Sequence, residues 1–253
     1  MKIQAKGITD VGRKRGHNED SFGVFDDMGL YVVADGMGGH AAGEVASHAA
    51  VGNLKDFITA TTAEEDITWP FERDENLSQG ANRLVVGIKL ANKLINSLAQ
   101  SKPELSGMGT TLVALYVGGD EVCVAHVGDS RAYLMSGGVL KRLTNDHSFV
   151  EEQVLSGALT YEQARSHPFK NIITRALGVK EDVAVDVSSR RPATGDLYLL
   201  CSDGLSGMLT DGDISQILST CKDDLDSCLK ALVKGANAKG GDDNITALAV
   251  SIL

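Results

Sequence analysis

Apolar side chains recur along this chain with two different periods, and each period predicts a different kind of element. Within residues 81–98 they recur at steps of three and four, which places them on a single stripe of an α-helix. We expect that stripe to pack on a sheet. A second helical segment precedes it, and the polar residues 61–80, which include Pro70, are predicted to form a loop between the two helices. The stripe consists of Ala81, Leu84, Ile88, Ala91, Ile95 and Leu98.

Short apolar runs bounded by turn residues predict strands over much of the remaining chain. Four such runs within residues 110–142 are joined by Gly118-Gly119, Gly128-Asp129 and Gly137-Gly138, and they resemble an antiparallel meander. A short helical pattern over residues 147–178 interrupts this strand-rich region. Strands followed by helices, twice over, predict an α+β fold in which helices cover antiparallel sheets. Further strands are predicted at 2–8, 21–25, 30–35, 182–188, 196–202 and 244–253, and two further helices at about 211–238.

Length, composition and charge narrow the range of functions. The chain has 253 residues, of which 43% are hydrophobic and 23% charged, and we expect one globular domain over residues 1–253. Its formal net charge of -10 argues against a nucleic-acid partner, because phosphate backbones are bound through an excess of lysine and arginine. No apolar run approaches the roughly 18 residues of a membrane helix, and the first residues lack the apolar core of a signal peptide. We therefore expect a cytoplasmic protein with no membrane partner.

The cysteines show neither a C-x-x-C pair nor the spacing of a metal finger. Cys123 and Cys201 lie inside apolar strand-like runs, where a free cysteine acts as a small hydrophobic residue. We predict packing rather than redox or metal chemistry for the cysteines, which are Cys123, Cys201, Cys221 and Cys228.

The stretch "YVVADGMGGHAAGE", residues 31–44, runs an apolar strand into an aspartate and several glycines. Gly36, Gly38 and Ala41 fit the G-x-G-x-x-G/A spacing of a dinucleotide cradle. Asp35 does not suit that interpretation, because it would direct negative charge toward a pyrophosphate. A nucleotide-binding oxidoreductase would also require parallel β-α-β alternation from this strand onward.

Acidic residues recur wherever predicted strands begin or end. The pattern of an apolar strand followed by Asp-Gly returns in "LYLLCSDGLSG", which contains Asp203. Taken singly, each Asp-Gly is an ordinary turn. Together, however, strand ends can converge on one rim of a sheet, where a bound cation would remove the repulsion between buried carboxylates. The other acidic residues at such positions are Glu19, Asp20, Asp129, Asp242 and Asp243.

Carboxylates and the Gly36 carbonyl are hard oxygen donors, which favour magnesium, manganese or calcium over zinc. The EF-hand pattern of calcium sites is absent from the sequence. A carboxylate cage for two ions fits a hydrolytic centre in which a bridging water becomes hydroxide near neutral pH. Arg15, five positions before Asp20, would anchor a phosphate, since a guanidinium can hold two phosphate oxygens at once.

At this point the chain resembles the metal-dependent serine/threonine protein phosphatases of type 2C, in particular the compact bacterial members. Eight blocks carry the resemblance in order and cover nearly the whole chain. They are "RGHNEDS", "VVADGMGGHAAGEVAS", "MGTTLVAL", "HVGDSRAYL", "LTNDHSFVEEQV", "NIITRALG", "LLCSDGLSGML" and "GDDNITALAV". The resemblance implies a four-layer α/β/β/α sandwich, with two antiparallel sheets flanked by helix pairs and a metal cleft at one end. It also implies a flap subdomain at about 146–178 beside the cleft, as a determinant of substrate choice.

The resemblance also implies roles for particular residues. Asp35 would bridge two ions, and bound water would link Glu19 to the cage. Asn244 would support the cage, and Arg15 would bind the substrate phosphate. Asp20 would also contribute to the paired metal sites. The Gly36 carbonyl would hold the first ion, Asp203 and Asp243 would complete the second, and Asp129 with Asp203 would hold a third, weaker ion.

The general acid is where the sequence departs from the animal members of the family. Those members carry histidine directly after Asp-Gly, whereas Met37 stands there in this chain and His40 follows three positions later. Either His40 or a bound water would protonate the leaving alkoxide.

The implied activity is hydrolysis of phosphoserine and phosphothreonine monoesters by direct attack of a metal-bridging hydroxide, with Mg²⁺ or Mn²⁺ as cofactor. Phosphorylated proteins would be the substrates, a serine/threonine kinase would oppose the enzyme, and the protein would act as a monomer. The alternative is a catalytically silent member of the fold that only binds phosphoproteins. Such a module would be expected to lack a metal carboxylate, and none is missing here.

Overall fold

The computed structural model describes residues 2–38, 41–63, 68–221 and 224–253. Within them, two antiparallel sheets stack face to face, and helices cover the outer faces. In chain order the strands are β1 (Ile3–Asp10), β2 (Asp20–Phe25), β3 (Leu30–Met37), β4 (Gly109–Thr110), β5 (Leu112–Gly118), β6 (Glu121–Val127), β7 (Arg131–Ser136), β8 (Val139–Arg142), β9 (Asp186–Arg190), β10 (Leu197–Cys201) and β11 (Ile245–Ile252). The helices are α1 (Ala41–Ala63), α2 (Gln79–Ser101), α3 (Phe149–Leu155), α4 (Tyr161–Arg165), α5 (Asp203–Ser206), α6 (Asp211–Cys221) and α7 (Leu225–Ala238).

Sheet I has the strand order β1-β11-β10-β7-β8, and sheet II has the order β2-β3-β5-β6-β9 with β4 paired to β3. Strand β3 is buried on both faces. Tyr31 and Val33 point into the layer between the sheets, while Leu30 and Val32 point toward α1 and α2. Because successive side chains of a strand alternate between faces, one strand serves two apolar layers.

Three apolar layers hold the four structural layers together. The predicted stripe on α2 is buried against sheet II from Ala81 to Ile95, and Leu98 at its end is partly buried. A second layer fills the space between the sheets, and a third lies between sheet I and the helices α6 and α7. The predicted α/β/β/α sandwich of two antiparallel sheets is confirmed.

The predicted meander over residues 110–142 is wrong. Strands β5 and β6 pair in sheet II, whereas β7 and β8 pair in sheet I. The chain therefore crosses between sheets at Gly128-Asp129 instead of turning back in a hairpin. The sequence does not reveal this crossing, because β6 and β7 are apolar on both faces and their patterns do not show which sheet each strand joins. Gly118-Gly119 and Gly137-Gly138 do form hairpin turns.

The structure corrects two further predictions, a strand boundary and the state of two cysteines. The strand predicted at 182–188 begins at Asp186, because residues 182–185 precede the ladder with β6. Cys221 and Cys228, predicted only to pack, form a disulfide with a Cα–Cα distance of 5.2 Å. Asp224 caps α7 by accepting a hydrogen bond from the Ser227 N–H. Cys123 and Cys201 are buried free cysteines, as predicted.

The dinucleotide-cradle interpretation of residues 31–44 is also wrong. After β3 the chain enters α1 and α2, and it then returns as β5, which is antiparallel to β3. A dinucleotide fold requires the strand after the glycine-rich turn to be parallel to the first.

Candidate active site

Asp20 and Asp35 come from neighbouring strands of sheet II. The ladder of β2 and β3 pairs them directly opposite each other. Side chains in such a pair have Cβ atoms about 5 Å apart. Two like charges placed this way repel each other, and a bound cation would offset that repulsion.

Asp203 and Asp243 come from the neighbouring ends of two strands of sheet I. Asp203 is the first residue of α5, directly after β10, and Asp243 precedes β11. The two turns touch so closely that a Cβ on Gly204 would clash with the Asn244 carbonyl oxygen. Ser202 then joins this end of sheet I to sheet II, because its hydroxyl donates to Asp20 Oδ2 at 2.9 Å.

The electrostatics of Asp35 show that the carboxylates share one region. Asp35 is partly buried, and its pKa is raised well above the usual range, first by burial and then by the charges of the neighbouring aspartates. Burial also raises the pKa of Asp20 to about 7, against the hydrogen bonds from Thr246 and Ser202. The predicted convergence of distant acidic residues on one rim therefore occurs. The aspartates that act on Asp35 are Asp20, Asp203, Asp129 and Asp243.

Buried oxygens without partners mark this cluster as a cation site. Among the described residues, Asp20 Oδ1, Asp129 Oδ1 and Asp203 Oδ1 are buried and accept no hydrogen bond. Leaving an ionised oxygen buried without a partner costs several kcal/mol in general, a cost that a bound cation offsets. Every donor in the cluster is an oxygen, which suits a hard divalent ion such as manganese or magnesium.

Glu19 and Asn244 form the frame around the cluster. The Asn244 side chain accepts from the Glu19 N–H at 2.8 Å and donates to the carbonyls of Val11 and His17, each at 3.0 Å. The Glu19 carbonyl in turn accepts from the Gly36 N–H at 3.2 Å. A Cβ on Gly36 would clash with this carbonyl and with the backbone of α1, so only glycine fits at that position.

Arg15 lies at the edge of the cluster. Its Nη2 atom donates to Asp243 Oδ2 at 2.6 Å, and 51% of its side chain is exposed. A guanidinium has five N–H donors, and this hydrogen bond uses one of them. Phosphate binding by Arg15 stays a prediction. The predicted general acid His40 lies outside the described residues.

Sequence reasoning missed the hydroxyl groups that surround the aspartates. Thr111 Oγ1 accepts from the Asp35 N–H at 3.2 Å and lies 2.7 Å from Ser130 Oγ, beside Asp129. Ser202 and Thr246 hold Asp20. One signal was available for Ser130, Ser202 and Thr246, because each lies within three positions of a predicted metal ligand or of its supporting asparagine, whereas Thr111 has no such neighbour in the sequence. Serine and threonine are so common at strand ends that this signal alone is weak.

A second group with metal-binding side chains lies apart from the aspartates and consists of His126, His147 and Asp186. The two imidazoles stack with centroids 4.6 Å apart and an interplanar angle of 16°, so their lone pairs do not converge on one point. Arg175 Nη1 lies 2.9 Å from His147 Nε2 and 2.7 Å from Asp186 Oδ1, where a cation would sit. His147 Nδ1 accepts from the Gly128 N–H at 3.0 Å. This group is a hydrogen-bonded support for the crossing at Gly128.

A cavity of about 550 Å³ adjoins the cluster at Asp129 and Asp203. The segment 146–178 forms a wall of this cavity, and its exposed residues Arg165 and Lys170 line the cavity. Arg131 at the base makes a bidentate ion pair with Asp146, with its shortest contact at 2.6 Å. The predicted flap segment therefore borders the carboxylate cluster.

Comparisons with known proteins agree with this geometry. A family model described as protein phosphatase 2C matches residues 12–247. The chain is 45% identical to the serine/threonine phosphatase stp of Listeria monocytogenes, over 98% of this chain and 95% of that protein. It is also similar to the crystal structure of serine/threonine phosphatase Stp1 from Staphylococcus aureus, at 36% identity and a TM-score of 0.87, over 100% of this chain and 96% of that one.

A further solved relative is the catalytic domain of the serine/threonine protein phosphatase PstP in complex with two manganese ions. It is 33% identical with a TM-score of 0.83, and the alignment covers 98% of this chain and 97% of that one. Over the residues that the structure describes, none of the helices combines the length and the apolar character needed to cross a membrane.

Proposed function

This chain belongs to the protein phosphatase 2C family, and we propose that it hydrolyses phosphoserine and phosphothreonine monoesters in proteins with divalent cations held by its buried aspartates. The observation that carries the proposal is a set of buried carboxylate oxygens that have no hydrogen-bond partner among the residues described by the structure, and these oxygens belong to Asp20, Asp129 and Asp203. The relative that binds two manganese ions supports manganese as a cofactor here. Magnesium, a second core ion and a third ion at Asp129 are further parts of this proposal.

The aspartates and the Gly36 carbonyl would hold the cations. When bound, divalent ions supply Lewis-acid activation of water and neutralise charge on the phosphoryl group. The charges of Asp20, from sheet II, and of Asp203, at the end of a strand of sheet I, both raise the pKa of Asp35, which suits it to be the shared ligand. Glu19 and Asn244 would keep the strand ends in register around the cage, through the hydrogen bond from the Glu19 N–H to Asn244 Oδ1.

Arg15 would orient the phosphoryl group. Its remaining N–H donors and half-exposed side chain leave it able to hold phosphate oxygens at the edge of the cluster. The polypeptide around the phosphorylated residue would lie in the cavity under residues 146–178, which adjoins Asp129 and Asp203. Protonation of the leaving alkoxide by His40 or by water stays a prediction.

The cellular setting is a further part of the proposal. A phosphatase of this kind would reverse the action of a serine/threonine kinase on shared protein substrates. We also propose that the enzyme acts in the cytoplasm as a monomer.

The test is a metal-rescue assay with a phosphothreonine peptide. Metal-free protein, prepared with chelator, is expected to release no phosphate, and MnCl₂ is expected to restore release. Full activity in chelator would contradict the proposal. Peptide binding without phosphate release in the presence of MnCl₂ would favour the silent-module alternative.

A further inference from the structure

The two carboxylate oxygens of Asp20 have opposite surroundings. Oδ2 accepts hydrogen bonds from Thr246 Oγ1 at 2.7 Å and from Ser202 Oγ at 2.9 Å. Oδ1 is buried and accepts no hydrogen bond from any residue that the structure describes. Asp20 itself is only 6% exposed, so little water reaches either oxygen. The side chain is thus held by hydrogen bonds at one oxygen, while the other oxygen is left available for a cation.

The direction of each hydrogen bond to Oδ2 follows from the chemistry of the groups. A carboxylate can only accept, so the single hydroxyl proton of Thr246 is committed to Asp20. Thr246 Oγ1 must then accept from Thr9 Oγ1, which lies 2.7 Å away. Thr9 Oγ1 in turn accepts from Asn18 Nδ2 at 2.8 Å. The result is a directional chain from Asn18 through Thr9 and Thr246 to Asp20, and bonds in such chains strengthen one another.

Ser202 is committed in the same way. Its hydroxyl accepts from the Thr246 N–H at 3.0 Å, which leaves its own proton for Asp20. The alternative acceptor of that proton, the Asn244 carbonyl, is farther away at 3.4 Å. Thr246 therefore supports Asp20 twice, directly through its hydroxyl and indirectly through its backbone N–H on Ser202.

This arrangement joins the two sheets at a metal ligand. Thr9 and Thr246 are register partners in β1 and β11 of sheet I, whereas Asp20 begins β2 of sheet II. We propose that Thr246 is a positioning residue, which together with Ser202 and Thr9 fixes Asp20 so that Oδ1 alone faces the cation. The inference rests on the proposed metal centre and adds that sheet I sets the orientation of a ligand carried by sheet II.

The test is a calorimetric titration of MnCl₂ into metal-free full-length protein, with thermal unfolding as a check on the fold. Thr246→Val removes the hydroxyl and keeps the shape, so it is expected to raise the Kd for manganese by about 10- to 100-fold, as loss of outer hydrogen-bond partners of metal ligands does. Thr246→Ser keeps the donor and is expected to bind manganese like the wild type. Thr61→Val is the matched control, because Thr61 is buried in α1 and its hydroxyl donates within that helix, to the carbonyls of Phe57 and Ile58.

A second variant keeps the test decisive if Thr246→Val does not fold. Thr9 is exposed on β1, where valine is well tolerated in a strand. Thr9→Val interrupts the series of hydrogen bonds one bond farther from Asp20, so it is expected to raise the Kd for manganese less than Thr246→Val. Wild-type affinity in a folded Thr246→Val protein, or in Thr9→Val if the former is unfolded, would overturn the inference. Weak binding by Thr246→Ser would overturn it too, since the methyl group would then be responsible. Failure of the wild type to bind manganese would instead overturn the proposed function.

Discussion

The active-site cleft has two walls that are built very differently. The first wall, residues 11–19, is tied to the loop that carries Asp243. Its Arg13 N–H donates to the Gly241 carbonyl at 2.7 Å, and Asn244 binds the carbonyls of Val11 and His17. A Cβ on Gly12 would clash with the Asp243 carbonyl, so the two loops are in direct backbone contact. This wall belongs to the rigid framework of the sheets.

The second wall, residues 146–178, is held more firmly at its two ends than at its tip. One end is fixed by the mostly buried ion pair of Arg131 with Asp146, and the other by the hydrogen bond from the Gly178 N–H to Asn92 Oδ1. Arg165 near the tip donates a long hydrogen bond to the Gly207 carbonyl, at 3.4 Å. Tyr161 and Phe169 are 57% and 53% exposed. The residues that support the proposed metal ligands are thus tied to the sheets, while the wall toward the substrate polypeptide is attached more loosely, as suits a surface that accepts different proteins.

The largest expected effect is at the metal cluster itself. Asp35→Asn is expected to reduce turnover of the phosphothreonine peptide by more than the roughly 10- to 100-fold loss typical of outer partners of metal ligands. The metal-free variant is expected to be at least as stable as the wild type, because it buries one charge fewer among like charges. Steady-state kinetics and thermal unfolding check both statements, and Asp203→Asn is expected to behave alike. A folded Asp35→Asn enzyme with wild-type turnover would contradict the proposed role of Asp35 in holding the cations.

The next largest effect is the pH dependence of the free energy of unfolding of the metal-free protein. Burial and mutual repulsion raise the pKa of Asp35 and Asp129, and burial raises that of Asp20 to about 7. Groups whose pKa is higher in the folded state bind more protons there, so stability is lost as pH rises through their folded pKa values. Denaturant unfolding is expected to show a free energy of unfolding that is a few kcal/mol lower at pH 8 than at pH 5.5.

Manganese should reverse that trend, because cation binding needs the deprotonated carboxylates. Carboxylates whose pKa is lowered in the folded state, such as Asp186 and Asp213, make the free energy of unfolding rise with pH, but they do so at more acidic pH. A metal-free protein that became steadily more stable from pH 5.5 to pH 8 would contradict this account of the cluster.

The next prediction, with a smaller effect, distinguishes a residue that supports the metal centre from one that supports only the fold. Asn244→Ala removes three hydrogen bonds from a buried side chain, and at about 1 kcal/mol each it is expected to destabilise the protein by about 3 kcal/mol. Asn92 offers a matched control, because it is also buried and binds Gly178, Lys180 and Glu181 through the same kinds of bond. Asn92→Ala is expected to lose similar stability while keeping the wild-type affinity for manganese. Equal losses of manganese affinity in both variants would show that the first wall has no special role.

The smallest expected effect on stability is in the second wall. Arg165→Ala removes an exposed side chain with one long hydrogen bond, so the free energy of unfolding is expected to change by at most about 0.5 kcal/mol. The KM for a phosphopeptide is expected to rise, while kinetics with para-nitrophenyl phosphate stay at the wild-type level because that substrate is too small to reach the wall. Equal changes for both substrates would place Arg165 in the chemistry instead.

Local patterns in the sequence predicted much of this molecule. The apolar stripe of α2 identified a helix and its buried face, since both follow from a period of 3.6 residues. The two Asp-Gly turns after apolar strands pointed to Asp35 and Asp203 only together with the other acidic strand ends, because such ends can converge on one rim of a sheet. The strand order and the crossing at Gly128-Asp129 depend instead on which sheet each doubly apolar strand joins, and that choice is decided by contacts distant in sequence.

The parts of the site that sequence did not predict also depend on distant contacts. Thr246 and Ser202 look like ordinary residues near the ends of strands until folding brings them to Asp20 from another sheet. The pairing of Cys221 with Cys228 likewise depends on how two helices meet, which their spacing of seven residues does not specify.

The most direct test of the account is the location of manganese in a crystal of the wild-type protein, identified by its anomalous scattering. The account predicts two strong peaks in the cleft among Asp20, Asp35, Asp203 and Asp243, with the Asp20 oxygen nearest to a peak being Oδ1. Strong peaks only at other positions, such as the group of His126, His147 and Asp186, with none in the cleft would contradict it.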